Sequence, residues 1–80
     1  REGPAEERSE ASAGGGLVRV VVDGKQMVRE IKLDPKVLEE QDVTLIEDLV
    51  MTALGEAQRA SETKMHEALN KLAGGMPLPF

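Results

Sequence analysis

The stretch Leu17–Leu33, "LVRVVVDGKQMVREIKL", decides the fold. Its first half, Leu17–Asp23, is dense in β-branched residues and reads as a strand. Its second half, Gln26–Leu33, reads as a returning strand. Val18, Val20 and Val22 fall on one face of the first strand, and Leu17, Arg19 and Val21 on the other. In the second strand Met27, Arg29, Ile31 and Leu33 share one face, and Val28, Glu30 and Lys32 share the other. Asp23-Gly24 is a hairpin signal, with Gly24 expected to supply the positive φ of the turn. Each strand has one mainly apolar face, so one side of the hairpin should bury against a helix while the other stays partly wet.

Two elements follow. Asp34-Pro35 is a helix-start pair, with Asp34 as N-cap and Pro35 at the first helical position, so a short helix is expected over 35–40. A long helix is expected over 43–73, capped by Asp42 or by a T-x-x-E box of Thr44 and Glu47. Most of it is the run "EDLVMTALGEAQRASETKMHEALNKL", Glu47–Leu72. At 1.5 Å per residue it is about 45 Å long, longer than a hairpin of this size can cover. Val43, Ile46, Val50, Ala53, Leu54, Ala57, Ala68 and Leu72 form an apolar stripe, flanked by Leu49 and Met65. The stripe is dense from Ile46 to Ala57, which should dock on the sheet. It thins from Ala60 to Leu72, where Lys64 projects beside it, so the second half is expected to protrude or to meet a second copy. Gly55 lies on the back of the stripe and reads as a tolerated surface glycine. Gly74 is expected to close the helix and Pro77 to prevent its resumption.

Residues 1–13, "REGPAEERSEASA", contain no large apolar side chain and read as a disordered polar segment or a weak edge strand near Glu7–Ser12. Gly14–Gly16 form a joint. They match neither G-x-x-x-x-G-K-[ST] nor G-x-G-x-x-G opening a helix, so a turn is expected rather than a phosphate loop. The folded unit is placed at 14–76 and a tail at 77–80. Eighty residues suit one small domain of marginal stability. With no Cys and one His, disulfides and His- or Cys-rich metal sites are excluded as staples, which leaves oligomerisation. The chain begins with Arg1, which is read as the mark of a processed, engineered or partial chain. No apolar run reaches the roughly 20 residues of a membrane span.

The formal charge is −5, which by itself argues against nucleic acid. Its distribution matters more. Residues 17–36 carry five basic and three acidic groups, residues 42–57 four acidic groups and no basic one, and residues 58–73 three basic and two acidic. Basic character gathers on the hairpin and the distal helix.

No catalytic constellation is visible, and the chain is not expected to be an enzyme. His66, the only His, lies five residues from Ser61 and about 140° round the helix, so the two cannot meet locally. Glu39/Glu40 and Glu47/Asp48 are adjacent helical pairs that do not share a face. Glu62 and His66 are i,i+4 neighbours, but two ligands do not make a metal site. No cofactor, metal, membrane or small-molecule substrate is expected. Phe80 is the only aromatic, which removes base-stacking platforms. Any DNA binding would use phosphate contacts with little base readout.

The order of the motifs is more specific than any one of them. "AGGGLVRVVVDGK" leads into "VREIKLDPKVL", and "VTLIEDLVMTALGEAQRASETKM" leads into "LAGGMPLPF". Over about Ala11 to Leu78 this resembles the YbaB/EbfC family of bacterial nucleoid-associated proteins. The resemblance implies an α+β fold with a three-stranded antiparallel sheet, its third strand supplied by residues before Gly14. It also implies a tweezer-like homodimer that binds double-stranded DNA in the cytoplasm, on the nucleoid. Family members begin with a long charged N-terminal helix that is largely missing from this sequence.

On that reading the candidate phosphate contacts are Arg59, Lys64 and Lys71 on the distal helix, with Lys25 and Arg29 near the hairpin. The candidate core or dimer residues are Val20, Val22, Ile31, Ile46, Val50, Leu54 and Met65. The competing reading is a homodimeric protein-interaction module that recruits recombination or replication partners through the helix arm.

Overall fold

The computed structural model describes residues 4–72 and Gly74. The expected helix end at Ala73, the stop at Pro77 and the tail 77–80 lie outside the described residues. A 3-10 turn, Pro4–Glu6, precedes three strands: β1 (Ser9–Ala13), β2 (Val18–Val22) and β3 (Val28–Leu33). A second 3-10 turn, Pro35–Glu39, leads to the helix α1 (Val43–Leu72). The strands form one antiparallel sheet in the order β1-β2-β3, so the chain is α+β.

The polar N-terminal segment supplies an edge strand, as the alternative reading of residues 7–12 had it. Its register sets Ser9 against Val22, Ala11 against Val20 and Ala13 against Val18. Small side chains thus face the helix beside three valines that are fully buried. Burying a valine contributes roughly 1.5–3 kcal/mol, an upper estimate because the unfolded chain already hides some apolar surface. Gly14, Gly15 and Gly16 all adopt positive φ (67°, 70° and 96°) and reverse the chain between β1 and β2. At Gly14 the backbone also passes close to the helix: a Cβ there would lie 3.0 Å from Leu49 Cδ1.

The β2–β3 hairpin departs from the expected turn. The Asp23 N–H donates to the Met27 carbonyl and the Gln26 N–H to the Asp23 carbonyl (3.0 and 3.1 Å), which makes a three-residue loop. The positive φ falls on Gln26 (69°), not on Gly24. The register then shifts between Val21 and Val22: Val21 faces Glu30 but Val22 faces Val28, and Arg29 is the extra residue of the bulge. Val28 therefore sits opposite Val22 rather than with Glu30 and Lys32, as strict alternation required.

Asp42 settles the helix start: its carbonyl accepts from the Ile46 N–H and its Oδ1 from the Leu45 N–H (3.2 and 3.1 Å). Asp34 caps the 3-10 turn in the same manner, its Oδ1 accepting from the Lys36 N–H at 2.8 Å. Gly74, at φ 69°, donates its N–H to the Lys71 carbonyl (3.1 Å) and closes the far end.

The buried row of α1 is Ala53, Ala57 and Ser61, spaced four apart. It lies against the valines, with Leu49, Val50 and Leu54 half-buried around it. The apolar stripe is therefore centred on small residues, and its larger members are peripheral. Ile46 is half-buried and Val43 exposed. The helix packs on β1 and β2. β3 is left open, with Ile31 49% and Leu33 50% exposed although they pair with the buried Val20 and Val18. Beyond Ser61 every described helix residue is exposed, including Met65 at 49%. The radius of gyration, 15.4 Å, exceeds the about 12 Å of a compact chain of this length because the helix outruns its sheet.

Two substitutions probe this packing. Ala53→Leu should destabilise by about 1–3 kcal/mol, since the helix would have to lift off the sheet. Gly55→Ala should stabilise by about 1 kcal/mol, because its new Cβ would meet only the Arg59 guanidinium at 3.6 Å. Urea denaturation followed by circular dichroism measures both.

Candidate functional site

One buried carboxylate anchors the hairpin. Asp23 ends β2 and is 2% exposed. Its Oδ1 accepts from the Lys25 N–H at 2.8 Å and the Met27 N–H at 3.1 Å, while Oδ2 lies 3.6 Å from Arg29 Nη1. Burial by itself would raise the Asp23 pKa. The Met27 and Lys25 N–H groups, then the Arg29 and Arg8 charges, outweigh it, so the carboxyl titrates below 3.8. The hairpin is also tied to the helix: Ser61 Oγ donates to the Asp23 carbonyl (3.1 Å) and Gln26 Nε2 to the Gln58 carbonyl (3.4 Å).

These links carry three of the predicted cations to one end of the molecule. Lys25 lies in the turn, exposed. Arg29 is the bulged residue of β3, aimed at Asp23. Lys64 reaches from the helix to donate to the Arg8 carbonyl. Lys71 lies seven residues further on, about 10 Å along nearly the same helix face. Arg59 is not with them. It stands about 160° round the helix from Ser61, its guanidinium over Gly55. Arg8, which the sequence reading did not single out, does belong to the group. The pairing of Ser9 with Val22 brings Arg8 level with Asp23. No local spacing signals this, because the contact depends on strand register.

Of the apolar candidates, Val20 and Val22 are core, and Val50, Leu54 and Ile46 are half-buried on the helix. Ile31 and Met65 are exposed, outside the core of this chain.

The Asp23 pKa has a consequence for stability. Its native value is lowered, so its contribution is fully present above the unfolded value of 3.8 and is lost as pH falls below it. Thermal unfolding measured from pH 7 to pH 2 should show a fall in Tm below about pH 4. Asp23→Asn, which keeps an acceptor for both N–H groups but cannot ionise, should have a lower Tm at pH 7 and a shallower acid limb.

Comparison with known proteins bears on the family and the fold. The chain matches the YbaB/EbfC DNA-binding family over residues 1–76. It is 42% identical over 74 residues to a nucleoid-associated protein of Alkaliphilus metalliredigens, covering 92% of this chain and 65% of that one. It is 46% identical over 70 residues to one of Gemmatimonas aurantiaca, covering 88% and 67%. A third, from Clostridium botulinum strain Eklund 17B, is 47% identical over 68 residues, covering 85% and 60%. The chain thus spans about two thirds of the length of the curated relatives it matches. The crystal structure of an uncharacterised Helicobacter pylori protein has the same fold, with TM-score 0.70 and 25% identity over 85% of this chain and 80% of that one. From the valine hairpin, the small-residue helix face and the family match together, this chain is a member of the YbaB/EbfC DNA-binding family.

Proposed function

We propose that this chain binds double-stranded DNA as a homodimer on the bacterial nucleoid in the cytoplasm, through phosphate contacts with little base readout. Family membership carries the DNA reading. The chemistry of the surface supports the mode of contact. Lys25, Arg29, Lys64 and Lys71 are exposed, and the chain has one aromatic residue with which to stack on a base. Arg59, the remaining cation considered for this role, stands apart on the solvent side of the helix.

The dimer is supported by the open side of β3. Val28, Ile31 and Leu33 lie on the helix side of the sheet, each about half exposed (43%, 49% and 50%). β3 is also an edge strand, with unpaired backbone groups on its free side. A second copy placed there would bury the patch in a two-fold interface.

A labelled duplex of random sequence, titrated by fluorescence anisotropy, tests the DNA reading. Binding should weaken linearly in log Kobs against log salt and vary little among duplex sequences. Lys64→Glu should weaken binding to every duplex and flatten that slope by about one. Sequence-independent binding with no salt dependence would exclude phosphate contacts. Sedimentation velocity tests the dimer: Ile31→Asp should shift the chain toward monomer, and an unshifted dimer would put the interface elsewhere.

The runner-up, a protein-interaction module for recombination or replication partners, is favoured by the net charge of −5 and by the exposed Met65 and Leu69 on the helix arm. It expects no duplex binding at any salt, and partner capture that is lost on Met65→Asp.

A further inference from the structure

Among the described residues, several cations are held in one of two ways. On the outer face of the sheet they are neutralised one for one. Arg19 lies 3.2 Å from the Glu10 carboxylate, and Lys32 lies 3.4 Å from Glu30. At the hairpin end two of them are held by carbonyls. Arg8 Nη1 donates to the Ala5 and Glu7 carbonyls, both at 2.8 Å. Lys64 Nζ donates to the Arg8 carbonyl. A carbonyl fixes the position of a cation without cancelling its charge. Lys25 is held through its own backbone N–H, which leaves its ammonium at the turn surface. Arg29 alone meets a carboxylate, that of Asp23, and at 3.6 Å.

Four cations therefore gather at the hairpin end, and two of them, Arg29 and Arg8, act on the buried Asp23 carboxylate. They come from four places in the chain: the approach to β1, the hairpin turn, the β3 bulge and the helix. Gathering like charges costs free energy that a polyanion recovers by displacing the counterions around it. Arg8, Arg29 and Lys64 are also placed in advance, so little of their side-chain entropy is lost on binding.

We propose that Arg8, Lys25, Arg29 and Lys64 form a phosphate cradle at the hairpin end of the sheet that grips one strand of a DNA backbone, with Arg8 as a contact residue. The cradle rests on the DNA reading above and deepens it by naming the surface. Arg59, on the opposite side of the helix, and the paired Arg19 and Lys32 lie outside it. The assignment of Arg8 depends on the strand register that sets Ser9 against Val22. Asp23 holds Arg29 in the cradle without making a contact of its own, since a carboxylate facing phosphate is repelled.

The test compares two double variants with the same net charge. Arg8→Gln/Lys64→Gln removes two cations of the cradle, and Arg19→Gln/Lys32→Gln removes two from the outer face. Each is titrated with labelled duplex over a salt series, beside the unaltered chain and Arg59→Gln, after circular dichroism has confirmed the fold. The cradle variant should lower the salt slope by about two and weaken low-salt binding at least tenfold on every duplex. The outer-face variant and Arg59→Gln should keep the slope of the unaltered chain. If Arg8→Gln/Lys64→Gln misfolds, Arg8→Gln alone should lower the slope by about one. Equal losses from both double variants would mean that net charge alone matters, which overturns the cradle and leaves the DNA reading standing. A slope unchanged in the cradle variant, with normal duplex binding by the unaltered chain, overturns it in the same way. An unaltered chain that binds no duplex overturns both.

Discussion

The close seat of α1 on the valines of β2 is the contact on which the other features depend. Val18, Val20 and Val22 have no exposure, and the helix meets them with Ala53, Ala57 and Ser61. Small residues spaced four apart bring the helix backbone near the sheet, so the larger side chains Leu49, Val50 and Leu54 must pack to the sides. A helix seated so closely covers two strands. It covers β1 and β2, whose inward residues at Ser9, Ala11 and Ala13 are small enough to admit it. The third strand is left with Ile31 and Leu33 half bare. One packing choice thus creates both the core and the open apolar face.

A second link sets the direction of the helix across the sheet. Asp23 closes the hairpin through two backbone N–H groups, and its own carbonyl accepts the Ser61 hydroxyl. Ser61 is the last buried residue of α1. The helix therefore leaves the sheet at the hairpin turn and nowhere else. For this reason Lys64, one turn further on, reaches Arg8 at the start of β1. The buried carboxylate, the turn and the cationic surface are parts of one construction. A change in Asp23 should act on stability and on surface charge together.

Much of the framework was legible along the chain. The valine alternation marked β2, Asp34-Pro35 marked the start of the 3-10 turn, and the long period-3.6 stripe marked α1 within a residue or two. The mistakes share a physical origin. Gly24 carried the turn signal, yet the left-handed residue is Gln26, because a three-residue loop needs positive φ at its last position. Val28 was put on the wrong face because a bulge shifts the register between Val21 and Val22. The apolar stripe holds Ala53 and Ala57 but not Ser61, because hydrophobicity ranks a serine low while packing distance ranks it with the alanines. Of the cationic candidates, Lys25, Arg29 and Lys64 lie together at the hairpin end with Arg8, which no local pattern marks, while Arg59 stands round the helix from them.

The sequence by itself determined β2, β3, the long helix and the family, because these rest on alternation, helical period, capping residues and the order of motifs along the chain, whereas the residues of β1 read equally as a polar segment or an edge strand. Only the tertiary structure decided which face of each element is buried, which strand stays open and which cations share a surface. Those outcomes depend on strand register and on the distance between helix and sheet. Both are set by contacts between residues far apart in the chain, such as Ser9 with Val22, Ser61 with Asp23 and Lys64 with Arg8, and a pattern read locally carries no information about them.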